Sequence, residues 1–237
     1  MVIGILGGMG SYATLNIFER ILALFPAEKE WDRPRILIDN NCTIPSRVVA
    51  ALYGTDREKL VREMSSSVKN LIQSGATHIF LACNTSHIFL DEVYQNVPEA
   101  KGKIYSIIEC LAKDISDLGI NESLALIATE GTLETKIYQT VFVPYNITVI
   151  QPDKEKFALM RELIEAVKQN NLTHEHCQKF ISLIKSFNLK NVILGCTEFP
   201  VLYSKFKAEI DSTGIKIYDP LESTIQLLHS MYLSEAK

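Results

Sequence analysis

Apolar residues recur along the chain in two alternating patterns. Short, largely apolar runs stand at 2–6, 35–39, 78–82, 103–107, 124–128, 147–150, 191–194 and 215–218. Between them lie longer stretches with helical spacing, at 60–74, 156–169 and 174–187. In the last of these Cys177, Phe180, Ile181 and Ile184 fall on one face. Strands alternating with helices imply parallel sheets joined by helical crossovers. Runs without polar alternation suit strands covered on both faces. The pattern therefore predicts an α/β fold.

The pattern also repeats. Leu71-Ile72-Gln73-Ser74 precedes His78 through Cys83, and Leu183-Ile184-Lys185-Ser186 precedes Asn191 through Cys196. The two cysteines are 113 residues apart (196 − 83), and so are Lys103-Ile104-Tyr105 and Lys216-Ile217-Tyr218 (216 − 103). Glu109 and Glu222 keep the same offset. The opening run and Gly7-Gly8-Met9-Gly10 match residues 124–128 and Thr129-Glu130-Gly131-Thr132 more loosely. Two similar parallel-sheet α/β domains are expected, with a boundary near 110–123. The last strand and helix are expected to return to the first half, giving 1–115 plus 213–237 as one domain and 116–212 as the other.

Composition narrows the possible functions. Of 237 residues 47% are hydrophobic and 22% charged, with a net charge of −4. No basic excess points to nucleic acid, and no apolar run reaches a membrane span of roughly 18 residues. The first residues show no basic segment or cleavage site of a secretory leader. Five cysteines, an odd number, do not form a disulfide framework. Without CxxC or HxxxH spacing, no zinc site is expected. The expectation is a cytoplasmic protein without a metal, whose partner is a small molecule rather than nucleic acid or a membrane.

Cys83 and Cys196 each follow a buried strand, at the sheet edge where open α/β folds bind ligands. Polar residues suited to starting a helix come next: Asn84, Thr85 and Ser86 in one half, Thr197 and Glu198 in the other. A helix N-terminus offers free N–H groups and positive potential, which lower a thiol's pKa and hold an anion. If the halves face each other, two thiols flank one cleft. One removes a Cα proton and the other returns a proton to the opposite face, the geometry that racemisation needs. Cys42, Cys110 and Cys177 lack this shared position and are read as packing residues. Gly7-Gly8-Met9-Gly10 lacks nucleotide-loop spacing and is read as a tight turn that brings the backbone at Met9 to the substrate. His87 either orients groups near Cys83 or packs a helix, and Glu198 caps or tunes the second thiol.

Ala82-Cys83-Asn84-Thr85-Ser86-His87 and Leu194-Gly195-Cys196-Thr197-Glu198-Phe199-Pro200 resemble the two catalytic-cysteine motifs of the aspartate/glutamate racemase superfamily. The aspartate racemase branch is the most similar. Gly7 to Gly10, Asn41 with Ile44-Pro45-Ser46-Arg47, and Ala128 to Thr132 extend the resemblance along nearly the whole chain. It implies two α/β domains related by pseudo-twofold symmetry with the site between them. It implies catalysis by Cys83 and Cys196 without pyridoxal phosphate or metal, and a homodimer. Asn84, Thr85, Thr132 and Thr197 fall on positions that hold the substrate's α-carboxylate and amine. Arg47 falls on the position that binds the side-chain carboxylate of an acidic amino acid, and Lys168 is matched to the lysine that assists there. Donors aimed at a carboxylate offset the charge that builds when its α proton leaves, and an arginine can hold a carboxylate with two bonds. Two alternatives remain: a related two-cysteine enzyme of the maleate isomerase or hydantoin racemase type, and a non-catalytic protein that binds a small ligand between its lobes.

Overall fold

The alternation of strand and helix builds two parallel sheets. The computed structural model describes residues 1–25 and 27–235. The first part of the chain runs β1 (Val2–Gly7), α1 (Ser11–Leu24), β2 (Arg35–Asn40), α2 (Arg47–Tyr53), α3 (Arg57–Gln73), β3 (His78–Leu81), α4 (Leu90–Asn96) and α5 (Ile107–Asp117). Then follow β4 (Leu124–Ala128), α6 (Glu130–Glu134), α7 (Ile137–Phe142), β5 (Val149–Ile150), α8 (Phe157–Lys168) and α9 (His174–Lys185). The chain closes with β6 (Asn191–Gly195), α10 (Phe199–Lys205), α11 (Lys207–Asp211), β7 (Lys216–Tyr218) and α12 (Pro220–Glu235). One sheet has the order β2-β1-β3 and the other β5-β4-β6-β7. Among the described residues no helix is long and apolar enough to cross a membrane.

Side chains alternate along the strands as the pleat requires. Ile3 and Ile5 of β1, with Phe80 and Ala82 at β3, enter a large core that runs through both halves. Leu6, Ile79, Leu81 and Cys83 point the other way, into a smaller core under α3 and α4. Helices cover both faces, which explains the lack of polar alternation. On α3, Leu60, Met64, Val68 and Leu71 are buried at helical spacing; on α8, Met160, Leu163, Ile164 and Val167 are.

The repeat is visible in the hydrogen-bond register. Ile79 pairs with Gly4 on one side and bridges Ile104 on the other; Val192 pairs with Ala125 and Ile217. Both 192 − 79 and 217 − 104 equal 113, the offset in the sequence. Only a single bridge forms at 103–107, because Ser106 caps α5 at once, its Oγ accepting the Glu109 N–H at 3.3 Å.

One expected assignment needs correction. β7 does not return to the first sheet; it pairs with β6 in the second, as the Ile104 segment lies beside β3. The same offset places it there. What crosses over are the helices that follow. α12 packs on α1 and α5, and α5 packs on α12 and α7. Arg20 of α1 ties this crossing down, with Asp219 at 2.7 Å and Glu222 at 2.6 Å. Residues 236–237 of the expected division lie outside the described residues.

Candidate active site

Cys83 lies just past β3 and Cys196 just past β6, and both thiols line one pocket of about 60 Å³. They are nearly covered, at 8% and 5% exposure. Thr197 brings the two strand ends together: its hydroxyl donates to the Ala82 carbonyl at 3.1 Å. The residue after one cysteine thus bonds to the residue before the other.

The expected neighbours gather there as well. Met9, Arg47, Asn84, Thr85, Lys168 and Glu198 share the pocket wall with Thr197 and the thiols. Thr132 does not line it. It is fully buried behind Thr85, whose Oγ1 lies 3.0 Å from Thr132 Oγ1 and 2.8 Å from Thr129 Oγ1. Asn84 accepts a bond from Tyr138 of α7 at 2.6 Å, and its Nδ2 is left without a partner among the described residues. A buried amide donor without a partner is costly and suits a bound carboxylate. Arg47, at the start of α2, donates to the carbonyls of Met9 at 2.6 Å, Pro45 at 3.0 Å and Ile44 at 3.3 Å, and its buried Nε has no partner among the described residues.

Over residues 6–228 the sequence matches the family described as Asp/Glu/Hydantoin racemase. The chain belongs to the Asp/Glu/Hydantoin racemase family. It is 26% identical to the broad specificity amino-acid racemase RacX of Bacillus subtilis, over 88% of this chain and 90% of that protein. It is 25% identical to a glutamate racemase of Lactobacillus acidophilus, over 91% of this chain and 75% of the other. Among solved structures it is similar to the aspartate racemase of Picrophilus torridus. That match has a TM-score of 0.81 and 27% identity, covering 98% of this chain and 94% of that one.

Within this racemase fold the two thiols have different surroundings. The Cys196 thiol donates to Glu198 Oε2 at 2.9 Å. Burial, then the charge of Glu198, pushes this thiol well above its ordinary pKa. The sequence reading expected the opposite, a thiol lowered by the turn that follows it. The helical turn is present, but burial and an adjacent carboxylate outweigh its dipole. Glu198 itself reaches the start of α1. A Cβ on Gly10 would overlap Glu198 Oε1, so any larger residue there would displace that carboxylate, and Oε1 has no partner among the described residues.

Among the described residues Cys83 has no carboxylate partner. Its carbonyl accepts from Ser86 Oγ at 2.6 Å and from His87 Nδ1 at 2.9 Å. The Ile107 N–H donates to His87 Nε2 at 3.3 Å, which fixes the proton on Nδ1 and ties the Cys83 turn to α5. Burial pushes the His87 imidazole down to about 4, so it is neutral. His87 therefore orients the turn and packs there at once.

Lys168, at the end of α8, pairs with Glu165 at 2.8 Å. Burial draws its pKa down, but Glu165, Glu198 and Cys196 outweigh that and leave it raised, so the ammonium stays charged. Of the remaining cysteines Cys177 is buried and Cys110 half-buried. Cys42 is exposed with its sulfur 3.3 Å from Ser11 Oγ, so packing is not its role. Ser46, Val48, Thr129 and Ile164 also line the pocket, and Tyr138 holds Asn84. None of these was singled out from the sequence, although Ser46 and Thr129 stand within quoted motifs.

Proposed function

We propose that the chain is a cofactor-independent amino-acid racemase that uses Cys83 and Cys196 as a facing acid/base pair on aspartate or glutamate. The observation that carries this is the pocket that both thiols share at the ends of equivalent strands. A thiolate on one side takes the Cα proton. The electron pair left behind delocalises into the substrate carboxylate, and the thiol on the other side delivers its own proton to the opposite face. The thiolate and thiol have then exchanged roles, and the next substrate runs the reverse direction. The names of similar proteins, an aspartate racemase, a glutamate racemase and a broad specificity amino-acid racemase, support the same reaction class.

Glu198 is assigned a positioning role: it accepts the S–H bond of Cys196, which orients that thiol and favours its protonated form, so Cys196 starts as the acid. Cys83 takes the Cα proton as the base in that direction. Asn84 Nδ2, Thr85, Thr197 and the backbone near Met9 hold the α-carboxylate and amine. Arg47, with Lys168, meets the distal carboxylate, which requires the guanidinium to exchange a backbone carbonyl for the ligand. The cytoplasmic setting and the homodimer belong to the same proposal, the dimer being checked by light scattering.

The test is incubation of L- and D-aspartate and L- and D-glutamate in D₂O, with chiral product analysis. Both enantiomers of the substrate should acquire deuterium at Cα. Ligand-dependent stabilisation with no exchange would sink this reading and favour a silent binding protein.

A further inference from the structure

A second cavity of about 320 Å³ adjoins the thiol pocket. The two share Ser46, Val48, Thr129, Ile164 and Lys168 as walls. The larger one opens between α2 and α8. Val49, Leu52 and Tyr53 form one side, Phe157 and Met160 the other. Its charged residues are already paired with one another, Arg161 with Glu130 and Lys168 with Glu165. Arg47 is not among its walls.

Size separates the two spaces. The thiol pocket, at about 60 Å³, is much the smaller. The second cavity is at the lower end of ligand sites, which run from roughly 300 Å³. The long side chain of an amino acid with Cα between the thiols would pass the shared wall, where Val48 and Ile164 are apolar and Ser46, Thr129 and Lys168 polar. Beyond it Val49, Leu52, Phe157 and Met160 offer apolar surface, against which an apolar side chain gains from leaving water.

We propose that this cavity is a side-chain subsite of the racemase, and that it takes neutral amino acids with long apolar side chains, such as leucine, methionine and phenylalanine. The inference rests on the racemase reading and extends its substrate class beyond acidic amino acids. Leu52 and Val49 line the cavity and not the thiol pocket, so substitutions there address side-chain size.

The experiment is deuterium incorporation at Cα in D₂O over L-alanine, L-aspartate, L-glutamate, L-leucine, L-methionine and L-phenylalanine. Alanine is the reference because its methyl group does not reach the cavity. The wild-type protein is expected to exchange leucine and methionine as well as alanine. In Leu52→Trp, with folding checked by circular dichroism, the leucine-to-alanine ratio of kcat/KM should fall at least tenfold, since removing room for one methylene already discriminates by roughly that factor. Val49→Phe narrows the same cavity and should act in the same direction if the tryptophan variant does not fold. Exchange of alanine, aspartate or glutamate without any of the three apolar amino acids overturns the subsite and leaves the racemase reading standing. So does an unchanged ratio in a folded variant. Absence of exchange with every amino acid overturns both.

Discussion

The turn after Cys83 and the turn after Cys196 occupy equivalent places but hold different protons. Two residues past each cysteine stands Thr85 in one half and Glu198 in the other. Each presses on the glycine at the start of a helix in the opposite half. A Cβ on Gly131 would come within 3.1 Å of Thr85 Cγ2, and one on Gly10 would overlap Glu198. Those glycines are 121 apart (131 − 10), as are Gly4 and Ala125 in the paired strands (125 − 4). Thr85 closes a neutral cluster of hydroxyls with Thr129 and Thr132. Glu198 takes a bond from the thiol beside it. Four residues past the cysteines the contrast recurs, His87 against Pro200: one turn is held by a titratable ring and the other is not. A repeated backbone thus places two cysteines on one pocket, and local side chains make them unequal.

Removing either thiol tests what the halves have in common. Cys83→Ser and Cys196→Ser should each lower racemisation by about 10²–10⁴-fold, the range for losing a positioned acid or base. Both losses should be large because the two groups act in series on one substrate. Chiral chromatography of each variant measures this. Near-normal turnover in either one would remove its thiol from the mechanism.

Acid separates the halves. His87 is neutral in the folded chain, at about 4, whereas a free imidazole titrates near 6.5. As pH falls between these values the unfolded chain binds a proton that the folded chain excludes. Stability is therefore complete above about 6.5 and lost progressively towards 4, by up to about 3 kcal/mol. Thermal melts across this window should show the slope, and His87→Gln should flatten it. An equal slope in that variant would assign the acid sensitivity elsewhere.

Glu198→Gln addresses the opposite turn. It keeps the shape and removes the charge, so the Cys196 thiol should titrate at lower pH, read from thiolate absorbance. Turnover should fall by about tenfold to hundredfold, the equivalent of a charge-assisted hydrogen bond of roughly 1.5–3 kcal/mol. A thiol titration that does not move would show that Glu198 does not tune it.

Thr85→Val should have the smallest effect on turnover, since Asn84 Nδ2, Thr197 and the backbone near Met9 still hold the α-carboxylate and amine. It deletes one hydroxyl and leaves Thr129 bonded to Thr132 at 3.1 Å. About 1 kcal/mol of stability should be lost, a fall of about 2–4 °C in Tm, measured by calorimetry. A loss of turnover beyond that of Glu198→Gln would reverse the ranking of the two turns.

Much of this was legible in the residue pattern. Strand and helix segments follow from local apolar spacing, and the 113-residue offset carried over unchanged into the pairing of Ile79 with Ile104 and Val192 with Ile217. The motifs picked out eight residues that line one pocket, and the match of Lys168, which no motif surrounds, supplied a ninth. Thr132 was displaced from it because its neighbours take up its hydroxyl. Tyr138 and Ile164 escaped notice because no local pattern ties α7 or α8 to the cysteine turns. β7 was misplaced where the repeat itself pointed the right way, since a strand's sheet and the next helix's packing partner need not be in the same half.

The sequence by itself determined the two cysteines, their shared position at strand ends and the 113-residue repeat of strand segments, because spacing along the chain dictates these. The tertiary structure alone decided which thiol meets a carboxylate, that Arg47 is engaged by Met9, Pro45 and Ile44, and that an apolar cavity adjoins the site. Each of these depends on burial or on residues brought together from different elements. Burial is what raises the Cys196 thiol rather than lowering it, and no reading of neighbours in sequence contains that sign.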